Sequence, residues 1–386
     1  MDRRAWLRAS GMGVLGLGVG GCAPRTGLLS TNPLLWPVPV RASWDRIIRT
    51  TVGLRPHRLS GFHVRAGPLD GKTLIHNYGH GGAGMSTSWG TGLLAAEFAL
   101  EQEARRAAVI GCGVVGLTTA RQLQRRGFTV TIYAKDVPPN TTSNMSLAGF
   151  TPTSGLVSRG RRTSAWDAQF RRAVEIAYTQ LQLLVGSDYG ISWVDQYSFS
   201  NSPPEVEDGP DPSELLPPQL RTGWEELGPG EHPWPSTYAS RRPSMRIEPS
   251  IYLEALVRDL YSFGGRVTIR SFQGPRDLVR LTEPVIVNCT GLGAGELFGD
   301  DEIIPVKGQL TVLVPQPEVN YMTFGGVPGT GTRRAFGIHM MPRSDGIILG
   351  GTSQRGVWTL DPDEEARREV VDGHIRLFSA MRGATV

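Results

Sequence analysis

AAVIGCGVVGLTTARQLQ, residues 107–124, is the stretch that decides the fold. Its first four residues are apolar and end at Ile110, which predicts a buried strand. The glycines of the G-x-G-x-x-G pattern that follows are Gly111, Gly113 and Gly116. Apolar residues then recur at helical spacing as far as Gly127, and FTVTIY (128–133) predicts the next strand. Such glycines let a pyrophosphate approach the backbone at a helix N-terminus, so this order favours a dinucleotide-binding unit over a chance turn.

The ribose of a dinucleotide is usually held by an acid at the end of the second strand. Here Lys135 takes that position, and Asp136 follows one residue later. We expect both residues to lie at the cofactor, and either of them could contact the ribose.

The composition is that of a globular protein large enough for two domains. The chain has 386 residues, of which 39% are hydrophobic, and its formal net charge is +4. No run of five or more basic residues occurs, so the charge does not indicate nucleic-acid binding. Three cysteines exclude a disulfide scaffold, and no apolar run reaches the ~20 residues of a membrane span. The sequence also lacks metal-ligand spacing of His and Cys, and lacks the G-x-S-x-G motif of a serine nucleophile.

The first 22 residues have the pattern of an export signal. Arg3 and Arg4 precede a short apolar stretch, and Val19-Gly20-Gly21-Cys22 has the form of a bacterial lipobox. We expect twin-arginine export and lipidation of Cys22, against the alternative of a frayed terminal helix. The mature protein would be a periplasmic or cell-surface lipoprotein, joined to the membrane only through that lipid. Residues 23–45 are rich in proline without helical period, which predicts a tether.

Two further stretches carry a resemblance to a known family. VGLRPHR (52–58) and NYGHGGAGMS (77–86) resemble the C-terminal third of the D-amino-acid oxidases, which are FAD flavoproteins. Residues 107–152 resemble the N-terminal segment of that family. The later matches, in family order, are NCTG at 288–291, KGQ at 307–309 and LGGT at 349–352. The resemblance covers residues 46–386, with little in 155–245.

The order of these segments differs from that of the family. The segment like residues 46–100 comes last in the family, directly after the one like 363–382, whereas here it comes first. The resemblance thus implies a circular permutation in which the old ends are joined through residues 97–106. Permutation is tolerated where the old termini lie close together. We therefore expect Arg46 and Gly383 to be neighbours in space.

The resemblance implies an α/β protein, α+β overall, with a Rossmann-like FAD-binding domain and a mixed-sheet substrate domain. The expected segments are a signal (1–22), a tether (23–45), the permuted C-terminal segment with the dinucleotide-binding start (46–154), part of the substrate domain with loops (155–249), a return to the FAD domain (250–309), and the substrate-domain sheet with a terminal helix (310–386). Proline-rich loops within 201–247 predict a lid or the contact of a homodimer.

The resemblance also implies FAD as the cofactor and the residues that touch it. In the glycine turn and the second strand these are Gly111, Cys112, Gly113, Val114, Val115, Gly116, Lys135 and Asp136. In the loop after that strand they are Thr141, Thr142, Ser143, Ala148, Gly149 and Phe150. In the glycine-rich segment they are Gly81, Gly82, Gly84, Met85 and Ser86, and later in the chain Phe272 and Thr290.

Three residues are expected at the substrate. Arg55, in the family's Gly-x-Arg-Pro motif, would bind the substrate carboxylate through two parallel charge-assisted hydrogen bonds, unless it forms a structural salt bridge. Gly82, in the glycine-rich backbone, is assigned to the substrate as well as to the flavin. His339 stands where the family has one of two tyrosines, neither of which is kept here. His339 is either a replacement hydrogen-bond donor or an ordinary strand histidine.

The implied function is FAD-dependent oxidation of a D-amino acid, with hydride passing from Cα to flavin and oxygen as the acceptor. The products would be a 2-oxo acid, by way of the imino acid, with ammonia and hydrogen peroxide. Glycine, D-aspartate or another amine is an alternative substrate, and an acidic side chain would need a second arginine from Arg333, Arg334 or Arg343. A non-catalytic surface lipoprotein that keeps the flavin fold is a second alternative. The missing tyrosines favour this alternative, whereas the presence of Arg55 and of the glycine motif argues against it. The glycine-rich segment at 77–86 opposes a nicotinamide dehydrogenase.

Overall fold

The computed structural model describes residues 36–201, 212–221, 223–325 and 337–381. The expected export signal with Cys22 lies outside them, and so do Arg333, Arg334 and Gly383. Within the described ranges, no helix combines the length and the apolar character needed to cross a membrane.

The protein is a mixed α/β structure with two mixed sheets. The strands are β1 (Ile47–Arg58), β2 (His63–Leu69), β3 (Lys72–Tyr78), β4 (Arg106–Ile110), β5 (Thr129–Ala134), β6 (Ile191–Ser200), β7 (Glu225–Leu227), β8 (Tyr238–Ile247), β9 (Arg266–Ile269), β10 (Val285–Asn288), β11 (Ile303–Leu313), β12 (Tyr321–Gly325), β13 (Ile338–Arg343), β14 (Gly346–Gly350) and β15 (Gln354–Arg355). The helices are α1 (Gly84–Leu100), α2 (Val114–Gln124), α3 (Ser164–Leu183), α4 (Pro249–Ser262), α5 (Pro275–Val279), α6 (Gly293–Phe298) and α7 (Glu364–Ser379).

The smaller sheet has the order β2-β3-β10-β4-β5-β9 and is parallel except for the edge strand β2. The strand, helix and strand predicted around the glycine turn are found as β4, α2 and β5. Four of the five residues of β4 are buried, because helices cover both faces of a parallel sheet. Side chains fully buried in this layer include Trp89 on α1, Leu117 and Leu123 on α2, and Tyr252 on α4.

The larger sheet has nine strands in the order β1-β11-β14-β13-β12-β6-β8-β7, with β15 also paired to β11. It is antiparallel except where β6 meets β12. Side chains alternate between its faces. On one face, Met340 and Leu349 pack with Val371 and Phe378 of α7. On the other, Leu310 packs with its strand neighbours and the loop residue Leu147. Strand β1 belongs to this larger sheet through its pairing with β11, whereas β2 and β3, which follow it in the chain, belong to the smaller sheet.

The start of the described chain lies against its end. Nε1 of Trp44 donates to Oδ1 of Asp372 on α7 at 2.9 Å, and Val40 shares a buried cluster with Met381. The segment expected as a tether is anchored from Val38 onward, since the Tyr321 hydroxyl donates to the Val38 carbonyl at 2.7 Å.

Candidate active site

Arg55, on β1, is half-buried and has no acidic partner among the described residues. Its Nη2 donates to the carbonyl of Thr352 at 3.0 Å and its Nε to that of Val306 at 3.4 Å. Burial, followed by the charge of Arg355, lowers the pKa of Arg55. An arginine nevertheless stays protonated in proteins, so this guanidinium is a cation whose neighbours leave its charge unneutralised. It has the chemistry of a carboxylate-binding group.

Glycines make room on both sides of the Arg55 side chain. A Cβ on Gly308 of β11 would lie 3.3 Å from Nη2 of Arg55. A Cβ on Gly82 would lie 3.3 Å from Cδ of Arg55 and 3.1 Å from Oγ of Ser154. Gly82 also has a φ of +131°, a conformation that side chains rarely adopt. The structure thus brings Arg55 and Gly82 together.

His339, on β13, is a neutral imidazole close to Arg55. Burial lowers its pKa to about 3, and the charges of His374 and Arg55 act in the same direction. Its ring stacks on Phe324, with centroids 5.6 Å apart. It lies where a side chain at Gly350 would stand. A neutral imidazole donates through one nitrogen and accepts through the other, so His339 has the capacity of a donor but not of a cation.

The glycine-rich segment turns directly into the N-terminus of α1. The described structure gives the amides of Gly84 and Met85 no protein acceptor, and no described side chain caps this helix. The Ser86 amide bonds to the Ala83 carbonyl at 2.9 Å, and the Ser86 hydroxyl accepts from the Thr151 amide at 2.8 Å. Gly84 and Met85 therefore fit the expected role of backbone donors to the flavin, whereas Ser86 holds the loop after Gly149.

The segment that follows Phe150 packs tightly on the glycine-rich turn. A Cβ on Gly155 would lie 2.5 Å from the Gly81 carbonyl oxygen, so only a glycine fits there. Phe150 is buried against Tyr178, and Ala148 has a φ of +64°. No motif marked Ser154 or Gly155, because their importance depends on a contact with a segment about 70 residues away.

The G-x-G-x-x-G turn has the geometry of a phosphate cradle. Gly111 has a φ of +110°, and a Cβ there would lie 2.5 Å from the Cys289 carbonyl oxygen. A Cβ on Gly116 would lie 2.0 Å from the Gly111 carbonyl oxygen. The Val114 amide donates to Oγ of Ser143 at 3.0 Å, so an oxygen acceptor already lies at the N-terminus of α2. The pyrophosphate of FAD fits this position, since helix N-termini favour anions.

The other expected cofactor residues frame the same edge of the smaller sheet. Lys135 and Asp136 are exposed directly after β5. Phe272 packs edge-on against Tyr133, with centroids 6.0 Å apart. The Thr290 hydroxyl donates to Oδ1 of Asn288 at 2.7 Å and so stabilises its own turn.

The loop from Thr141 lies between the two sheets. The Thr141 hydroxyl donates to Oδ1 of Asn144 at 2.8 Å, and a 3-10 helix spans Thr142–Met145. A Cβ on Gly53 of β1 would lie 2.9 Å from Cβ of Met145. The expected FAD loop is therefore in contact with the strand that carries Arg55.

Two cysteines and one histidine of these motifs are buried. Burial raises the pKa of Cys112 and that of Cys289 to about 12, so neither is a thiolate near neutral pH. A ring nitrogen of His80 lies 3.0 Å from Oγ1 of Thr91, and burial lowers the pKa of His80 to about 4. The ring of His80 also stacks on Phe62. His80 has the surroundings of a structural histidine.

Arg343 and Arg355 differ from expectation. Arg343, proposed from the sequence as a second substrate cation, pairs with Asp345 through two hydrogen bonds of 2.8 and 3.0 Å. Its charge is thereby neutralised. Arg355 was not among the expected substrate cations. Its Nη1 lies 3.2 Å from Nε2 of the buried His57. Arg355 stands beside a matched motif, but only the strand pairing, in which Val306 lies opposite both arginines, reveals that it is near Arg55.

No group of His, Cys, Asp and Glu in the described ranges has the arrangement of a metal site.

Comparison with known proteins points to one family. The model of the family described as "DAO: FAD dependent oxidoreductase" matches residues 106–386. The D-amino-acid oxidase of Streptomyces coelicolor is 28% identical over 285 residues, which cover 72% of this chain and 79% of that enzyme. The D-aspartate oxidase of Homo sapiens is 27% identical over 285 residues, covering 72% and 77%.

Solved structures show the same fold. The L-proline dehydrogenase of P. horikoshii is 20% identical with a TM-score of 0.51, and the match covers 72% of this chain and 78% of that one. The glycine oxidase of Bacillus cereus is 15% identical with a TM-score of 0.51, covering 72% and 79%. At these identities the likeness concerns the fold.

Proposed function

Because this chain belongs to the DAO family of FAD-dependent oxidoreductases and is therefore an FAD enzyme, we propose that it oxidises a D-amino acid with oxygen as the electron acceptor. The observation that carries the proposal is Arg55, a half-buried cation with no acidic partner among the described residues, lying against Gly82. The similarity to D-amino-acid and D-aspartate oxidases supports the choice of substrate.

Each residue has a defined task in this proposal. Bound in this cradle, the cofactor would supply the hydride acceptor for oxidation at the substrate Cα. Arg55 binds the substrate carboxylate in a bidentate manner and so orients Cα. Gly82, which has no side chain, leaves room for the substrate beside Arg55. His339, neutral near pH 7, donates one N–H to the substrate in place of the absent tyrosines.

The test is an anaerobic visible spectrum of the purified FAD protein, titrated with D- and L-amino acids. We expect D-isomers, and not L-isomers, to bleach the flavin absorbance. Bound flavin that no amino acid bleaches would contradict the proposal and favour another amine substrate or a non-catalytic role. The yellow colour of bound flavin in the purified protein would distinguish it from a nicotinamide dehydrogenase.

We also propose that the chain is a circular permutation of the family's order. The family match begins at residue 106, at the first strand of the dinucleotide unit, and leaves β1 to α1 before it. The contacts of Trp44 with Asp372 and of Val40 with Met381 bring the start and end of the described chain together. α1 continues toward β4 with five residues between them. These features support a joint after α1 and a cut before β1.

We further propose export by the twin-arginine route and lipidation of Cys22. The support is the order of Arg3-Arg4, the apolar stretch and the lipobox in the sequence. Expression with labelled palmitate in a bacterial host should label the wild-type protein and leave the Cys22→Ala variant unlabelled. Equal labelling of both proteins, or retention of both in the cytoplasm, would contradict the proposal.

A further inference from the structure

Arg55 and Arg355 flank one residue of the larger sheet. β11 lies between β1 and β15, and Val306 is paired with Arg55 on one side and with Arg355 on the other. Residues paired directly across antiparallel strands point to the same face of a sheet. His57 is two residues from Arg55 on the same strand and shares this face. Two guanidinium groups and an imidazole therefore lie on one face, beside the glycine-rich turn.

Uncharged groups hold both guanidinium groups in place. Nη1 of Arg355 donates to Nε2 of His57 at 3.2 Å, so His57 accepts there. Arg55 donates to the carbonyls of Thr352 and Val306. Burial, followed by the charges of Arg355 and Arg55, lowers the pKa of His57, which keeps its ring neutral. Among the described residues, no carboxylate forms an ion pair with either arginine.

Other arginines of the larger sheet, including Arg49 and Arg58 on β1 itself, do have acidic partners. Arg58 of β1 pairs with Asp300 at 2.8 Å. Arg343 of β13 pairs with Asp345 at 2.8 Å, and Arg49 of β1 pairs with the same carboxylate. Arg55 thus differs from Arg49 and Arg58 of its own strand, and the lack of an acidic partner at Arg55 and Arg355 coincides with the proposed substrate site.

Two unneutralised cations on one face are best satisfied by a ligand with two negative charges. Neighbouring strands lie about 4.8 Å apart, so the two arginine backbones are about 10 Å apart. The Arg55 guanidinium lies beside Gly308 and that of Arg355 beside His57, and two long side chains at that backbone separation can bracket a small dicarboxylate. We infer that Arg355, positioned by His57, is a second anion-binding group and that the substrate is a D-amino acid with a side-chain carboxylate. This inference rests on the proposed function, with Arg55 on the α-carboxylate and Arg355 on the distal one.

The experiment compares the wild type with Arg355→Gln and Arg355→Lys, all as the FAD-loaded protein. Steady-state oxidation is measured with D-aspartate, D-glutamate and D-alanine. Binding without turnover is measured by the change in flavin absorbance on titration with succinate and with propionate. Arg49→Gln, which removes a paired arginine of β1, is the matched control. Thermal unfolding of each variant checks that the exposed substitution leaves the fold intact.

We expect Arg355→Gln to raise KM for the two acidic substrates about tenfold, the value of one partly exposed charge-assisted hydrogen bond, and to leave D-alanine within about twofold. The ratio of the succinate Kd to the propionate Kd should rise by a similar factor. Arg355→Lys should recover part of the loss, because it retains the charge. Arg49→Gln should behave as the wild type.

A variant with an unchanged preference for dicarboxylates over monocarboxylates would overturn the inference. So would a wild-type enzyme that prefers D-alanine to both acidic substrates. If no amino acid reduces the flavin, the proposed function fails, while the succinate titration still decides whether Arg355 binds a second carboxylate.

Discussion

The imidazole of His339 occupies the space that a side chain at position 350 would fill. The two residues are paired across β13 and β14, and a Cβ on Gly350 would lie 2.1 Å from Nε2 of His339. Gly350 has no positive φ, so its glycine is required by the neighbouring ring and not by the backbone conformation. The position of His339 near Arg55 thus depends on a glycine on the next strand.

Gly350→Ala should therefore displace His339. Overpacking of this kind costs about 1–3 kcal/mol of stability, and the ring has to leave its place over the strand. We expect kcat/KM to fall about tenfold or more while the FAD content stays unchanged. The measurements are flavin content and initial rates. Gly67→Ala on β2, where a Cβ meets no atom within 4 Å, is the control. Equal rates in both variants would show that His339 has no role at the substrate.

Replacement of Arg55 tests the carboxylate contact. Arg55→Gln removes the charge, and Arg55→Lys keeps the charge but loses the bidentate geometry. We expect kcat/KM to fall about 100- to 1000-fold in Arg55→Gln and somewhat less in Arg55→Lys, as for loss of a charged hydrogen-bonded pair. Neither change should remove FAD. Activity within about threefold of the wild type in both variants would assign Arg55 to a structural role.

Gly116→Ala should abolish FAD binding. A Cβ there would lie 2.0 Å from the Gly111 carbonyl oxygen, so the glycine turn would have to open. Helix propensity alone favours alanine by about 1 kcal/mol, so any loss has to come from this clash. The measurement is the ratio of absorbance at 450 nm to protein. Gly160→Ala, at a position with no atom within 4 Å of the added Cβ, should retain its flavin.

Stability should fall as the pH is lowered from about 6.5 to 4. Burial lowers the pKa of His374 to about 4, whereas an unfolded histidine has a pKa near 6.5. Between these values the unfolded state binds a proton that the folded state does not, so the neutral ring stabilises the fold at pH 7 and loses this effect in acid. The slope for one such histidine approaches about 1.4 kcal/mol per pH unit.

Urea unfolding at pH 7 and pH 5 measures this effect. His374→Gln, whose amide can still donate to the Val370 carbonyl, should lose about 2 kcal/mol less stability over this interval than the wild type. His76 and His80, each with a pKa lowered to about 4, remain in both proteins and contribute equally. An identical pH dependence in the variant and the wild type would contradict the prediction.

The permutation can be reversed by engineering. A chain that begins at Arg106, runs to Met381, continues through a short linker to Arg46 and ends after α1 restores the family's order. We expect it to fold and bind FAD, because the contact of Trp44 with Asp372 in the present chain places Arg46, two residues later, close to α7. A second chain opened in the middle of β11 is the control and should not fold. If the restored chain fails to fold, the proximity of the two ends is not sufficient for a permutation.

Local patterns predicted the elements of the cofactor site. Apolar runs and glycines around Gly111 specify β4, α2 and β5. Neighbouring residues are sufficient here, because the glycines mark where the chain needs a positive φ and where the helix packs closely on the strand. Gly82 was recognisable because residues 77–86 resemble a motif of the family. Arg55 was recognisable because it lies in a motif of the family.

The partners of these residues could not be predicted in this way. Ser143 supplies an oxygen to the N-terminus of α2 from 29 positions away. Arg343 was expected to be available for the substrate, yet it is neutralised by Asp345, two residues along the chain, across the β13–β14 turn. Sequence spacing does not reveal whether a charged side chain points to its neighbour or into a cleft.

The sequence by itself determined the dinucleotide unit, because adjacent residues impose its strands, turn and helix. The resemblance to a family identified the FAD motifs and the candidate carboxylate-binding arginine. Only the tertiary structure decided that Arg355 stands opposite Arg55 across Val306, that His57 holds it, and that Gly350 makes room for His339. These relationships depend on strand register, which is set by the packing of distant segments and shifts every side chain to the other face when it slips by one residue.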